Sequence, residues 1–381
     1  LNTVFHTGWS VSHIALPLGI SFFTFTQIAY LVDAYRGETK GYKLLTYSLF
    51  VTFFPHLIAG PILYHKDIIP QFHRLRNFVF SHKNMAMGLT LFTLGLFKKV
   101  VIADTLSPWA GGLFNNPNDI GFVEAWIGAL SYTFQIYFDF SGYSDMAIGL
   151  GYMLNITLPI NFNSPYKATS IIDFWRRWHM TLSFFLRNYL YIPLGGNRHG
   201  AVRQMINIFI TMLLGGLWHG AGWTFVIWGG LHGTYLVVNH LWRRLNIHLP
   251  GVIAWGITFF SVTIGWVFFR ANNVDDGLKI IKIMAGLGNK ALSNPYGDRI
   301  NTLIEGKMSV TTGIFYIFNT ERGKSLIAVV VLLLCVTLLP NTQQIMQRFK
   351  PSRWLGVMIG ILALYTISYM DAISEFLYFQ F

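Results

Sequence analysis

DFWRRWHMTLSFFLRNYLYIPLGGNRHG (residues 173–200) and, after an apolar run, LLGGLWHG (residues 213–220) are the stretch on which the reading of this chain turns. Each half holds a histidine directly after a tryptophan, His179 and His219. The first half is crowded with Arg176, Arg177 and Arg187, whereas residues 204–242 contain no Asp, Glu, Lys or Arg. Thirty-nine uncharged residues are enough for two passes through a bilayer at about 20 residues each. Gly215, Gly216, Gly220 and Gly222 mark the break between the passes.

Outward from that stretch the chain keeps the same character. It has 381 residues, 53% hydrophobic and 12% charged, against roughly 25% charged in a soluble domain. The fold class expected is all-α: one polytopic membrane domain over 1–381, with roughly ten helical or re-entrant segments around a central funnel. Apolar runs fall at residues 14–32, 44–64, 85–103, 125–138, 146–160, 204–242, 245–269, 325–340 and 354–370. Pro17 and Gly19 can distort the first of them. Pro55 and Pro61 forbid a straight helix through the second, and His56 sits in that break. Residues 65–84 are basic with spaced aromatics and read as a membrane-surface segment. DDGLKIIKIMAGL (residues 275–287) reads as an amphipathic surface helix.

The net charge of +12 fits Lys and Arg collected in short loops on the cytoplasmic side, with the 176–203 cluster among them. No basic soluble domain is visible, so nucleic acid is not an expected partner. The single cysteine, Cys335, reads as a small apolar packer. The chain opens at Leu1 without a signal-peptide pattern, and further spans are expected ahead of it.

Several ionisable residues lie in apolar surroundings. Lys98 and Lys99 are expected to snorkel from a helix end to the headgroups. Asp139 and Asp145, in FDFSGYSDMAIG, sit between two apolar runs; they read equally as functional carboxylates or as helix caps. Counted along a helix from the surface at residue 204, His219 lies about 22 Å deep in a hydrocarbon core of about 30 Å. Gly220 and Gly222 would leave room beside its ring, with Trp218 and Trp223 as walls. An imidazole buried there stays neutral and is a competent general base for a hydroxyl attacking an acyl carbon such as a thioester. The bland alternative is a core histidine bonded to a carbonyl. For His179, with Ser183 four residues on, orientation of an acceptor, donation to an oxyanion and a hydrogen bond to a neighbouring helix are all open. HExxH, GxSxG and Walker A patterns are absent, and no metal or resident cofactor is expected. The GGNRHG loop could meet carrier phosphates or lipid headgroups. A proton-coupled transporter is the main alternative class, weakened by the lack of a repeat relating two halves.

At these residues the chain resembles the membrane-bound O-acyltransferases, and more narrowly the bacterial alginate and peptidoglycan O-acetyltransferase subfamily. The likeness is carried by FWRRWHMTLSFFLRNYLYIPLGGNR, LLGGLWHGAGWTFVIWGGLHG, ISFFTFTQIAYLVDAYRGE, FFPHLIAGPILYHKDIIPQF, YTFQIYFDFSGYSDMAIGLG and the terminal FLYFQF. The resemblance implies a helical core with a funnel, His219 as the catalytic histidine of LWHG, and His179 as the second motif histidine of RRWH. Trp178, Arg176, Arg177, Ser183, Trp218 and Asp139 are the expected substrate-binding residues around them. It also implies acetyl-CoA as acyl donor and an extracytoplasmic partner of the SGNH hydrolase type. The acceptor would be a polysaccharide, and the setting the bacterial inner membrane with its lipid. Members of the family usually carry additional spans ahead of the ISFFTF motif. The related D-alanyl transfer proteins of teichoic acid modification share WHMSLS-like and LWHG motifs and are the alternative within the superfamily.

Overall fold

Helix α6, Phe122–Met153, is the axis of the bundle: 32 residues, about 48 Å long at 1.5 Å per residue. Every residue from 131 to 142 is buried, so this helix faces protein all round. The computed structural model describes residues 19–39, 41–57, 60–118, 120–287, 320–370 and 377. Pro17, Leu1 and most of the FLYFQF terminus lie outside the described residues. Among the described residues the regular structure is helical and no strand occurs, which bears out the all-α expectation.

Ahead of the axis come α1 (Ile20–Tyr35), α2 (Leu44–Val51), α3 (His65–Phe72) and α4 (His82–Phe97). A π-helical turn, Lys98–Ala103, joins α4 to α5 (Asp104–Asn115). After the axis, α7 (Ile171–Trp175) and α8 (Met180–Leu186) form a short element that a second π turn, Arg187–Tyr191, closes. The hairpin α9 (Gly200–His219) and α10 (Trp223–Arg244) follows, then α11 (Gly251–Arg270) and α12 (Val274–Met284). The chain ends in α13 (Glu321–Leu338), α14 (Thr342–Gln347) and α15 (Arg353–Ile367).

Glycines set the closest approaches. A Cβ at Gly88 would lie 2.6 Å from the Gly149 carbonyl oxygen, and one at Gly95 would lie 2.6 Å from that of Gly142. Both pairs are one heptad apart on antiparallel α4 and α6, so the two backbones touch along a small-residue seam. The α9–α10 hairpin uses the same device: a Cβ at Gly229 would sit 2.6 Å from the Met212 carbonyl oxygen.

Among the described residues three helical stretches are long and apolar enough to cross a membrane: His82–Asn115, Gly200–His219 and Gly251–Arg270. Leu44–His56, Gly323–Leu338 and Arg353–Ile367 are shorter apolar helices. Helix α6 is an interior helix, and the 44–64 run is broken. In the 3-10 turn Phe54–His56 at that break, His56 is buried and its Nδ1 lies 2.6 Å from the Phe53 carbonyl oxygen.

Two expectations are corrected here. Lys98 and Lys99 do not snorkel. The π turn rotates them inward, where Lys98 meets Asp145 at 2.6 Å and Lys99 meets Asp104 at 2.7 Å and Asp139 at 2.9 Å. Burying an ammonium is tolerable only with such partners. Nor do Asp139 and Asp145 lie at a junction between elements or cap a helix: both are in the middle of α6. Asp145 also accepts from Thr342 at 2.6 Å and from Gln343 at 3.0 Å, and so ties α14 to the axis.

The α8 end is anchored separately to α1 and α3. Tyr189 donates to Asp33 at 2.9 Å, and His65 Nε2 lies 3.1 Å from the same carboxylate. Burial, with the Asp33 bond, pushes the Tyr189 hydroxyl up, so it remains a donor at neutral pH.

Candidate functional site

His219 is the last residue of α9, and extended Gly220 stops the helix there. The glycine contact at Gly216 and Gly229 lets α10 lie directly against α9, which brings Trp228 edge-on to the His219 ring at 5.1 Å. Phe269 of α11 closes another side at 5.0 Å and Trp218 a third at 4.4 Å. The ring is buried. Two expected details change. Trp223 is 74% exposed and walls nothing; Trp228 takes its place. The room left by Gly220 is occupied by the Phe225 ring, to which a Cβ at Gly220 would come within 2.4 Å. Helix α9 is also longer than counted, 20 residues or about 30 Å. Its length alone does not hold His219 at mid-depth; what encloses the ring is aromatic packing.

His179 sits at the corner between α7 and α8 with φ 42° and ψ 57°, the left-handed region. A non-glycine residue there costs of order 1–3 kcal/mol and persists only where its surroundings impose it. Those surroundings are specific. Met180 N donates to the Asn161 carbonyl at 3.0 Å, and Thr181 Oγ1 donates to Asn161 Oδ1 at 2.7 Å. Asn161 Nδ2 in turn donates to Ser144 on α6 at 3.2 Å, and Ile62 N donates to Thr181 Oγ1 at 3.1 Å. The corner is bolted to the axis and to the broken-helix loop. The His179 ring packs edge-on to Phe140 at 4.7 Å and is 1% exposed. Neither ring nitrogen has a hydrogen-bond partner among the described residues. An unsatisfied buried imidazole is rare in a native structure, which singles His179 out among the buried polar groups. The neighbouring-helix hydrogen bond weighed for His179 is not made.

The two motif histidines come from different elements, His179 from the corner before α8 and His219 from the end of α9. Three buried tryptophans join their surroundings: Trp178 lies 4.8 Å from Trp266, and Trp266 lies 6.0 Å from Trp228. The other expected residues are placed as follows. Trp178 and Trp218 are in this wall. Arg176 is exposed, on the rim of a cavity of about 670 Å³. Arg177 donates through Nε to Asp173 at 2.9 Å. Ser183 Oγ donates to the carbonyls of Trp175 at 3.0 Å and Trp178 at 3.4 Å. Asp139 is held by Lys99 and accepts from the Leu377 backbone N–H at 3.3 Å. Among the described residues there is no group of three or more His, Cys, Asp or Glu that could hold a metal.

The cavity beside Arg176 is lined on one side by Tyr235, Asn239, Trp242 and Arg243 of α10, and His248 follows them on its rim. From its wall a series of rings runs inward. Tyr235 lies 5.7 Å from His232, His232 lies 4.9 Å from Trp228, and Trp228 touches His219. Trp228, Trp266, Phe269 and His232 are not among the expected substrate-binding or catalytic residues. Trp228 was within reach of sequence reasoning, since the glycines at 216 and 229 pair the two hairpin arms. Nothing local points from residue 219 to Phe269.

The sequence model of the membrane-bound O-acyltransferase family matches residues 9–274, which include both motif histidines. A peptidoglycan O-acetyltransferase of Helicobacter pylori is 42% identical, aligned over all of this chain and 77% of its own length. A probable alginate O-acetylase of Pseudomonas aeruginosa is 48% identical over 77% of this chain and 57% of its own. A teichoic acid D-alanyltransferase of Streptococcus thermophilus is 29% identical over 60% of this chain and 57% of its own. The chain thus spans about three quarters of the first relative and little more than half of the other two.

Proposed function

The chain belongs to the membrane-bound O-acyltransferase family, and we propose that it passes acetyl groups from acetyl-CoA on the cytoplasmic side across the membrane for O-acetylation of a cell-surface polysaccharide. The observation that carries this reading is the placement of His219, walled by Trp218, Trp228 and Phe269, and joined through Trp228, Trp266 and Trp178 to the corner of the buried His179, whose ring nitrogens have no partner among the described residues. Two relatives with 42% and 48% identity are named for acetylation of peptidoglycan and alginate, against 29% for the D-alanyl relative, which favours acetyl as the group carried.

In this reading the neutral His219 ring takes the proton of an acceptor hydroxyl as its oxygen attacks the thioester carbonyl carbon. The C–O bond forms, the C–S bond breaks, and the proton passes from the imidazolium to the departing sulfur. The two ring nitrogens of His179 offer one donor and one acceptor, enough to orient the acceptor or meet the developing oxyanion. The cavity rim supports donor entry from the basic side. Arg176 and Arg243 line it and can meet phosphate, and in the antiparallel hairpin the basic start of α9 lies at the same end as the basic close of α10, which fits the cytoplasmic face. An extracytoplasmic acetyltransferase of the SGNH type would receive the group and modify the polymer.

The test is His219→Ala in cells that acetylate their polymer, with ester-linked acetate measured after confirming membrane insertion. Loss of ester in a well-expressed variant is expected; normal ester content refutes the role of His219. Labelled acetyl-CoA supplied to membranes separates transfer from transport: label bound as ester supports transfer, and label recovered only as an unreacted translocated metabolite refutes it.

A further inference from the structure

The ring of His232 lies between the basic cavity and His219, fully buried, and takes no part in the chemistry above. Its Nδ1 is 3.2 Å from Nε1 of Trp175. An indole nitrogen can only donate, so Nδ1 is the acceptor and the ring proton is on Nε2. The ring is packed edge-on to Trp175 at 5.3 Å and against Trp228 at 4.9 Å, and Trp228 in turn packs edge-on to His219 at 5.1 Å. A Cβ at Gly265 would come within 2.8 Å of Nε2, so α11 backs the ring closely and fixes its depth.

Trp175 is a joint. It ends α7, the next residue is Arg176 on the cavity rim, and His179 follows four residues on. Its carbonyl accepts from Ser183 of α8, while its indole bonds to α10. The bond to His232 is therefore a direct polar tie between the α7–α8 element that carries His179 and the hairpin that carries His219. The elements also meet through apolar ring contacts, which hold distance but tolerate sliding.

We infer that His232 is a positioning residue: its Nδ1 fixes the Trp175 indole and thereby sets the α7–α8 corner, with Arg176 on one side and His179 on the other, in register with His219. The inference rests on the acyl-transfer reading for its kinetic consequence, and on the Trp175–His232 contact alone for its structural one.

The experiment uses membranes from cells expressing the full chain, acetyl-CoA labelled in the acetyl group as donor, and alkali-labile label in polymer as readout. His232→Phe keeps a ring and removes the acceptor. Trp175→Phe removes the donor and leaves His232 intact, and so guards against a misfolded first variant. His232→Asn restores an acceptor at the Nδ1 position. His232→Phe and Trp175→Phe are each expected to lower kcat by about ten- to a hundredfold, as a misplacement of about 1 Å does, with the KM for acetyl-CoA little changed. His232→Asn should recover most of the rate, and the double Phe variant should be no slower than the worse single. His232→Asn as slow as His232→Phe, a loss carried by KM, or losses that multiply in the double variant would overturn the inference. If wild-type membranes give no label, the donor reading fails. Wild type, the two single Phe variants and the double variant compared by melting temperature then decide whether the bond exists: additive shifts refute it and non-additive shifts support it.

Discussion

Replacing Lys99 with methionine strands two carboxylates inside the bundle. The ammonium lies 2.9 Å from Asp139 Oδ1 and 2.7 Å from Asp104 Oδ1, and the three side chains are 8%, 1% and 20% exposed. At an effective dielectric of 20, a pair 2.9 Å apart attracts by about 6 kcal/mol before desolvation is subtracted. Removing one partner of such a pair typically costs about 3–5 kcal/mol, because the other charge stays buried and uncompensated. Asp139→Asn is milder, since Lys99 keeps Asp104 and the amide oxygen can still accept; about 1–3 kcal/mol is expected. Asp104→Asn, at the most exposed of the three positions, is milder still. With unfolding entropy of about 2.1 cal/mol/K per residue, the Lys99→Met loss lowers the melting temperature by about 4–6 °C. Thermal unfolding in detergent, followed with a thiol-reactive dye, has a single reporter in this chain, the half-buried Cys335. The order of melting temperatures should be Lys99→Met lowest, then Asp139→Asn, then Asp104→Asn. A Lys99→Met protein that melts with wild type, or above Asp139→Asn, refutes the cluster as a structural ion pair. An Asp139→Asn protein of unchanged stability that loses acetyl transfer would move Asp139 from the scaffold to the substrate.

Gly142→Ala should destabilise by about 1–3 kcal/mol, because its Cβ would lie 2.7 Å from the Gly95 carbonyl oxygen on α4; the same melting assay reads it, and an unchanged melting point means the helices can part without cost. His179→Gly should be more stable than His179→Ala by about 1 kcal/mol, since only glycine accepts φ 42° without strain, while both lose transfer; equal melting points would show the corner relaxes, and residual transfer in either would remove the ring from the chemistry. Asn161→Ala cuts the bonds to Thr181 and Ser144 and leaves buried polar groups unpaired, a loss of about 1–3 kcal/mol with a drop in transfer. Wild-type kinetics in that variant would show that the corner does not depend on Asn161.

The all-α membrane class could be read from the chain because hydropathy and charge are local. An uncharged run of 39 residues with a glycine cluster in it reads as two arms and a break, and the hairpin Gly200–His219 and Trp223–Arg244 is the result. The Trp–His motifs could be read for the same reason, as unusual residue types at positions that hydropathy alone would have filled with aliphatics. Which residues meet across helices is a matter of facing, and a one-dimensional pattern does not carry it. Lys98 and Lys99 looked like snorkelling residues until the π turn swung them onto Asp145, Asp104 and Asp139. Asp139 and Asp145 looked like a junction because polar residues interrupt the run; α6 continues through them because both carboxylates find cations. Trp223 and Trp228 are indistinguishable as letters, and only the glycine contact between α9 and α10 turns Trp228 onto His219 and leaves Trp223 outside. His232 had no signal of its own. It acquires a role only when α7 delivers an indole N–H to its ring, because a hydrogen bond between residues 57 apart in sequence exists only once the helices have packed.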